Sequence, residues 1–309
     1  MTALKFKTCL RRIPRFCGYD VVRWRNPLQD DVKLYERLYD REVLARRPFF
    51  NVGAGDFYHP YWINVDKSSD WYAVHAKGHR FIDYDLLQLR PLPVPDGTAE
   101  IVYTSHTLEH VNNEAAQLFC HEAFRILGPQ GLIRIVVPDV DVLFRAYRLG
   151  DRFFDPMVRM YDTADRARRV CLDRPASELS CQQLFLWRIA TSVSIHHTSG
   201  ARERMTDQEV DEAFQALPYE RALDWITSKS DLEVQRRYPG NHINWWSYSK
   251  MACFLAIAGF AHIHRCAYGQ SASPLMRNTR LFDNTHPEMS LYVEAVKDGK
   301  WPGHCSRQE

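Results

Sequence analysis

Apolar residues along this chain change rhythm several times, and the changes outline its elements. "FFNVG" from Phe49, "WINVD" from Trp62, "RFIDYD" from Arg80 and "AEIVYTS" from Ala99 are short runs rich in β-branched and aromatic residues. Gly, Pro and Asp bound them, with a turn at Asp96-Gly97, so each predicts a strand. "NNEAAQLFCHEAFRILG" then repeats at helical spacing. Ala116, Phe119, Cys120, Ala123, Ile126 and Leu127 share one face, Asn112 or Asn113 can cap the start, and Gly128-Pro129 stops the run. "LIRIVVPD" reads as a fifth, largely buried strand. Strand signals vanish from about Val140 to Pro239, where helices are predicted at Asp141–Leu149, Glu178–Ile195 and Asp207–Leu217. The last has a capping box, Thr206 with Glu209. "SYSKMACFLAIAGF" predicts a helix ending at Gly259, and "FAHIHRC" and "SLYVEAV" predict two more strands.

Strands alternating with helices imply an α/β fold whose parallel sheet binds ligands at the carboxyl ends of its strands. The expected organisation is a basic helical leader over 1–48, a sheet domain over 49–139 and 240–299, and a helical insertion over 140–239. The insertion sits over the carboxyl edge of the sheet as a substrate lid.

The corner after the first strand selects among cofactors. A mononucleotide loop needs GxxxxGK[ST], and nothing here matches it. A dinucleotide site needs GxGxxG opening a helix whose amino end meets the pyrophosphate. Here Phe57, Tyr58, His59 and Pro60 stand where the third glycine and the helix belong. Only about nine residues separate Gly53 from Ile63, at or below the short limit for a helical crossover. S-adenosylmethionine carries no phosphate and needs no helix dipole. It needs a loop of bare backbone, which Gly53 and Gly55 permit. It also needs an acid at the end of the second strand for the ribose hydroxyls, and Asp66 is there. Asp85 and Leu86 follow the third strand, where adenine contacts belong.

The ordered set N-V-G-A-G (51–55), W-I-N-V-D (62–66), D-L (85–86), S-H-T-L-E-H (105–110), R-I-L-G-P-Q-G (125–131) and R-I-V-V-P-D (134–139) resembles the class I S-adenosylmethionine-dependent methyltransferases. More narrowly it resembles the bacterial branch with an SHxLEH segment, associated with polysaccharide and lipopolysaccharide biosynthesis. The likeness spans roughly 49–141 and resumes at 242–297. It implies a Rossmann-like class I methyltransferase sheet with a helical insertion after the fifth strand. It further implies that Asn51, Gly53, Ala54 and Gly55 line the methionine part of S-adenosyl-L-methionine, Asp66 the ribose, and Asp85 with Leu86 the adenine, with Ser105 completing the cofactor set. Asn51 departs from the acid of the wider superfamily, and Gln130 interrupts the usual Pro-Gly-Gly turn.

Methyl transfer from a sulfonium mainly requires alignment of donor and acceptor. A hydroxyl acceptor holds its proton tightly and gains from a base, for which histidine is suited. His106, after the fourth strand, is the candidate base or acceptor-orienting residue. Glu109 can orient a histidine or open the next segment, and His110 reads as a capping or packing residue. Asp139, at the end of the fifth strand, can assist the base, hold a substrate hydroxyl, bind a metal with Asp141, or cap the following helix. No required metal is expected. For the acceptor, His242, Trp245 and Trp246 in "GNHINWWSY" are candidate contacts, the tryptophans offering a sugar platform or packing in the core. Arg277 and Arg280 can meet an anionic group. His196 and His197 are adjacent and point apart on a helix, which argues against a shared metal.

The expected reaction is O-methylation of a saccharide or lipid-linked glycan. The alternatives left open are N- or O-methylation of a small metabolite, and a non-catalytic adenosyl-binding scaffold. Ser105-His106-Thr107, rather than Asn/Asp-Pro-Pro-Tyr, follows the fourth strand and tilts toward oxygen. Composition adds limits. At 309 residues the chain suits one large domain with an insertion. A formal charge of +2 gives no global pull toward nucleic acid. Eight scattered cysteines without a CxxC pair suggest reduced, mostly buried thiols in a cytoplasm. No apolar run reaches the roughly 18 residues of a membrane span, and no signal-peptide core is evident. The stretch from Lys5 to Arg25 is locally basic and interleaved with apolar residues, so peripheral contact with the inner face of a membrane competes with simple packing on the domain.

Overall fold

The computed structural model describes residues 27–68, 81–170, 172–195 and 204–298. The basic stretch from Lys5 to Arg25 and the pair His196-His197 lie outside the described residues. Seven strands form one sheet: β1 (Phe49–Val52), β2 (Trp62–Asp66), β3 (Phe81–Asp83), β4 (Ala99–Ser105), β5 (Leu127–Pro138), β6 (His262–Cys266) and β7 (Ser290–Val296). Their order is β3-β2-β1-β4-β5-β7-β6. β1 to β5 pair in parallel, whereas β7 runs antiparallel between β5 and β6. The parallel sheet expected from the pattern is found in β1 to β5, and β7 adds an antiparallel strand to it. Only short 3₁₀ turns occur between β6 and β7, and without a crossover helix the chain returns antiparallel.

β-strand residues alternate between two buried faces. Phe50, Val52, Ile63, Val65, Val102, Ile133 and Ile135 point to a core shared with α3 (Asn113–Ile126) and α11 (Tyr248–Ala258). Phe49, Trp62, Ile101, Tyr103, Leu132 and Val136 point to the other face. There α1 (Pro27–Leu38) contributes Tyr35, and the excursion between β6 and β7 contributes Leu275, Met276 and Phe282. Burial on both sides explains why these strands read as near-continuous apolar runs. A short α2 (Arg41–Arg46) links α1 to β1.

Local chemistry fixes the helix ends. Asn112 caps α3 by accepting from Ala115 N, and Ser247 caps α11 while Gly259 ends it at φ 111°. β5 starts five residues earlier than the apolar run suggests, with a register shift opposite Ala99 and Ile101. Gln130 in that early part takes φ 60°, the left-handed region that a glycine occupies without penalty.

Between β5 and β6 lie α4 (Val140–Leu149), α5 (Pro156–Met160), α6 (Ala164–Arg169), α7 (Cys181–Ile189), α8 (Asp207–Ala216), α9 (Tyr219–Thr227) and α10 (Leu232–Arg237), before α11. α7 is shorter than the predicted helix because it gives way to a 3₁₀ turn at Thr191–Val193. α8 carries the complete capping box of Thr206 and Glu209. These helices bury their own core of Val140, Leu143, Phe185, Leu186, Val210 and Leu223. Of the four cysteines described, all are free, and Cys120 is buried while Cys253 is exposed. The expectation of mostly buried thiols therefore holds for Cys120 and fails for Cys253.

One charged cluster stands inside the second face of the sheet. Arg134 of β5 is fully buried. Its Nε donates to Asp283 Oδ1 at 3.0 Å, Nη2 to Asp283 Oδ2 at 2.5 Å, and Nη1 to Glu294 Oε1 at 2.7 Å and Gln270 O at 2.9 Å. Glu294 Oε2 accepts from Ala272 N at 3.0 Å, and Asp283 N donates to Tyr103 Oη at 2.8 Å. Removing one partner of such a cluster strands a buried charge. Arg134→Ala is expected to cost about 3–5 kcal/mol, read from urea unfolding curves. A cost near that of a surface arginine would show that the cluster does not hold the excursion in place.

Candidate active site

The carboxyl ends of β1, β2, β3 and β4 converge on a cavity of about 530 Å³, within the range of small-molecule sites. β1 leads into the glycine loop, which contains no helix. Gly53 N donates to Val65 O at 2.8 Å, tying the loop to β2. Gly53 and Gly55 take φ 70° and 55°. A side chain at Gly53 would collide with Thr107, whereas a Cβ on Gly55 would meet nothing within 4 Å. That open space beside bare backbone is a cradle that a ligand can enter.

β2 ends at Asp66. Its Oδ2 accepts from Gly55 N at 2.8 Å and its Oδ1 from Lys67 N at 2.7 Å. Burial nevertheless raises the Asp66 carboxyl above its ordinary range, since those bonds only partly offset the lost hydration. Asp85 follows β3 and caps a short turn by accepting from Leu87 N at 2.9 Å. Its other oxygen pairs with Lys67 Nζ at 2.9 Å. Asn51, Gly53, Ala54, Gly55, Asp66, Asp85, Leu86 and Ser105 all line the one cavity.

β4 delivers His106 to the same cavity in a left-handed conformation, φ 51°, a conformation uncommon outside glycine and associated with functional sites. Its Nδ1 lies 3.1 Å from Glu109 Oε1 and its Nε2 2.8 Å from Ser290 Oγ. Ser290 Oγ also lies 2.8 Å from His286 O, so its single proton is shared between that carbonyl and the imidazole. Burial opposes ionisation of Glu109, but His106, His110 and His242 together hold its carboxyl down at about 2. A charged acid behind one imidazole nitrogen favours a proton there and leaves the other nitrogen to face the acceptor.

Residues 58–135 match the family model described as a methyltransferase domain. The chain carries a methyltransferase domain. The cofactor of this domain is S-adenosyl-L-methionine, and the cradle at Gly55 with the Asp66 carboxylate fits it. No curated protein matches the sequence. Among solved structures, the chain is similar to the S-adenosylmethionine-dependent methyltransferase SibL, at 12% identity over 84% of this chain and 53% of that one, with a TM-score of 0.35. It thus spans about half the length of that protein. It is also similar to a SAM-dependent methyltransferase from Archaeoglobus fulgidus, at 10% identity over 88% and 95% of the two chains, TM-score 0.37. A possible histamine N-methyltransferase from Thermotoga maritima gives 11% identity over 87% and 99%, TM-score 0.37. The strand order of this chain, rather than those likenesses, shows its α/β fold.

The methyltransferase places its other candidate residues elsewhere. Asp139 does not line the cavity. It is buried, caps α4 by accepting from Asp141 N, and pairs with Arg265 Nη2 at 2.7 Å. That is a structural occupation, as a strand end followed directly by a helix makes natural for an aspartate. His242 is also off the cavity. Its Nδ1 faces Arg188 O at 2.8 Å, and burial pushes its imidazole down to about 3. The tryptophans form no platform: Trp245 packs in the core of the helical insertion and Trp246 in that of the sheet. Lys250 Nζ, not a sugar, lies over both rings, 4.1 Å and 4.8 Å from their centres. Several lining residues gave no signal in the sequence pattern: Tyr58, Lys67, Thr107, Arg236, Asn284 and Thr285. Tyr58 and Thr107 sat within segments already read, with no cavity role assigned to them.

Three outcomes follow. Gly53→Ala should lower the thermal midpoint and abolish S-adenosylmethionine binding, because a Cβ there would overlap Thr107 Oγ1 on a backbone whose positive φ already strains a side chain. Gly55→Ala should fold with a backbone cost of roughly 1–2 kcal/mol and bind the cofactor about tenfold or more weakly in calorimetry. Wild-type affinity in Gly55→Ala would contradict a cofactor seated against that loop. Burial, opposed by Asp224 and Glu220, pushes the Lys250 ammonium from 10.5 down to about 7. Between those values the unfolded chain holds a proton that the folded chain has released, so stability rises with pH across that window, and below it the penalty is fully present. Lys250→Met should flatten that rise, as measured by urea unfolding at neutral and mildly alkaline pH.

Proposed function

We propose that this methyltransferase O-methylates a saccharide or a lipid-linked glycan. The observation that carries the reading is His106, on the cavity wall with Glu109 behind Nδ1 and Nε2 directed at a hydroxyl, that of Ser290. When bound, the cofactor supplies a methyl group on a positively charged sulfur. The acceptor hydroxyl takes the place of Ser290 Oγ at Nε2. His106 would take that hydroxyl's proton as the methyl group leaves the sulfur for the oxygen, the carbon–sulfur electron pair staying on sulfur as a neutral thioether, and the Glu109 carboxylate would balance the imidazolium charge. Asp66 holds the ribose hydroxyls. Asn51 and the glycine loop hold the amino-acid end.

Acceptor contacts come from the far side of the cavity. Tyr58 offers an aromatic ring that is 44% exposed. Arg236 from α10 and Arg280 from the excursion before β7 line the same cavity and would meet acidic groups on a glycan. The helical insertion, which supplies Arg236 and Pro239, serves as the lid. The basic segment between Lys5 and Arg25 suits work beside an anionic membrane from the cytoplasmic side. No helix of the described residues is long and apolar enough to cross that membrane.

The test is transfer of labelled methyl from S-adenosylmethionine to glycans and glycolipids, with amines and small metabolites as competing acceptors. His106→Ala should lose about 10²–10⁴ in turnover while keeping cofactor affinity. Asp66→Ala should lose cofactor affinity itself. Label appearing only on amines, or unchanged turnover without His106, would refute the hydroxyl reading.

A further inference from the structure

Glu109, His110 and His242 gather their ligand atoms within 4.8 Å of one another. Nothing in their sequence positions announces this. Glu109 and His110 lie on the short turn Leu108–His110 after β4, while His242 lies on the segment returning from the helical insertion.

Three features make this more than a coincidence of polar residues. First, Glu109 is 1% exposed, and neither of its carboxylate oxygens receives a well-aligned hydrogen bond, although His106 Nδ1 stands 3.1 Å from Oε1. A buried carboxylate left so short of donors calls for a cationic partner. Second, both imidazoles are anchored through Nδ1 to a backbone carbonyl: His110 to Asn241 O at 2.9 Å and His242 to Arg188 O at 2.8 Å. A carbonyl accepts only from a protonated nitrogen. Each Nε2 therefore carries a lone pair, the arrangement by which second-shell bonds prepare histidines to ligate. Third, the frame is rigid. Ile243 N and Asn244 N donate to Glu109 O at 2.8 Å and 3.2 Å, and Gln235 Nε2 donates to His110 O at 2.9 Å.

We propose that Glu109, His110 and His242 bind one divalent transition-metal ion, zinc in the first instance, that clamps the helical insertion onto the turn after β4. Two imidazoles and one carboxylate suit zinc or cobalt, while magnesium and calcium prefer oxygen ligands throughout. Bonds of about 2.1 Å at tetrahedral angles set ligand atoms roughly 3.4 Å apart, so the cluster, whose ligand atoms lie within 4.8 Å of one another, closes on binding by up to about 1.4 Å at its widest pair through side-chain rotation. His110 is the one of the three that also lines the cofactor cavity.

The full chain, stripped with a chelator and dialysed, is titrated with cobalt and with zinc. We expect one ion per chain by elemental analysis, a visible cobalt absorption band, and a thermal midpoint raised by zinc but not by magnesium. His110→Asn and His242→Asn should each abolish all three, whereas His262→Asn, on an exposed strand position, should abolish none. Because His242 is buried and its variant is at risk of misfolding, the half-buried His110 decides, with the far-ultraviolet circular dichroism spectrum and a cooperative thermal transition as the check of folding. Failure of the wild-type chain to take up a stoichiometric ion, or uptake that survives His110→Asn, overturns the site. None of the three readouts involves turnover, so the result stands apart from the identity of the acceptor.

Discussion

A guanidinium with no access to water holds this molecule in working order. Arg134 sits in the middle of β5 and reaches Asp283, Glu294 and the carbonyl of Gln270. Desolvating such charges is costly, and a cluster of this kind contributes position more than net stability. What it positions is the long excursion between β6 and β7. That segment has no regular helix of its own to dock, yet its Arg280, Leu281, Asn284 and Thr285 line the cofactor cavity, and His286 and Ser290 flank the imidazole of His106. An apolar residue in place of Arg134 would fill the volume but leave the excursion without an address. Tyr103 reinforces the same point by accepting from Asp283 N, so β4, β5, β7 and the excursion share one polar node inside an otherwise apolar layer.

The second organising element is the pair Trp245-Trp246. Adjacent in sequence, the rings point into different cores, one belonging to the helices after β5 and one to the sheet. The backbone between them is pinned, since Val140 N donates to Trp246 O at 2.9 Å and Asn244 accepts from Trp245 N. Lys250 covers both rings. The insertion is consequently joined to the sheet through buried side chains and not only through its two chain connections.

Much of this was legible in the chain itself, and the pattern of success has a physical reason. Strand-end chemistry is local: a glycine where backbone must be bare, an acid at the end of the second strand, an aspartate after the third. Gly53, Gly55, Asp66 and Asp85 accordingly meet in one cavity, along with His106. Side chains whose meaning depends on direction were not legible. "NWWS" does not say which way each ring points, and "VPDVD" does not distinguish a catalytic acid from a helix cap, which is how Asp139 is used. Contacts between segments far apart in sequence, such as Arg134 with Asp283 or Glu109 with His242, leave no periodic trace at all. The antiparallel β7 was hidden for a related reason, since an apolar run carries no direction.

Thr107 packed against the missing side chain of Gly53 has an evolutionary corollary. The loop that cradles the donor and the loop that presents the imidazole are interlocked like two teeth of a gear. Neither can drift alone. Any lineage that admits a β-carbon at position 53 must shrink its partner at 107, so the two sites should exchange residues as a matched pair.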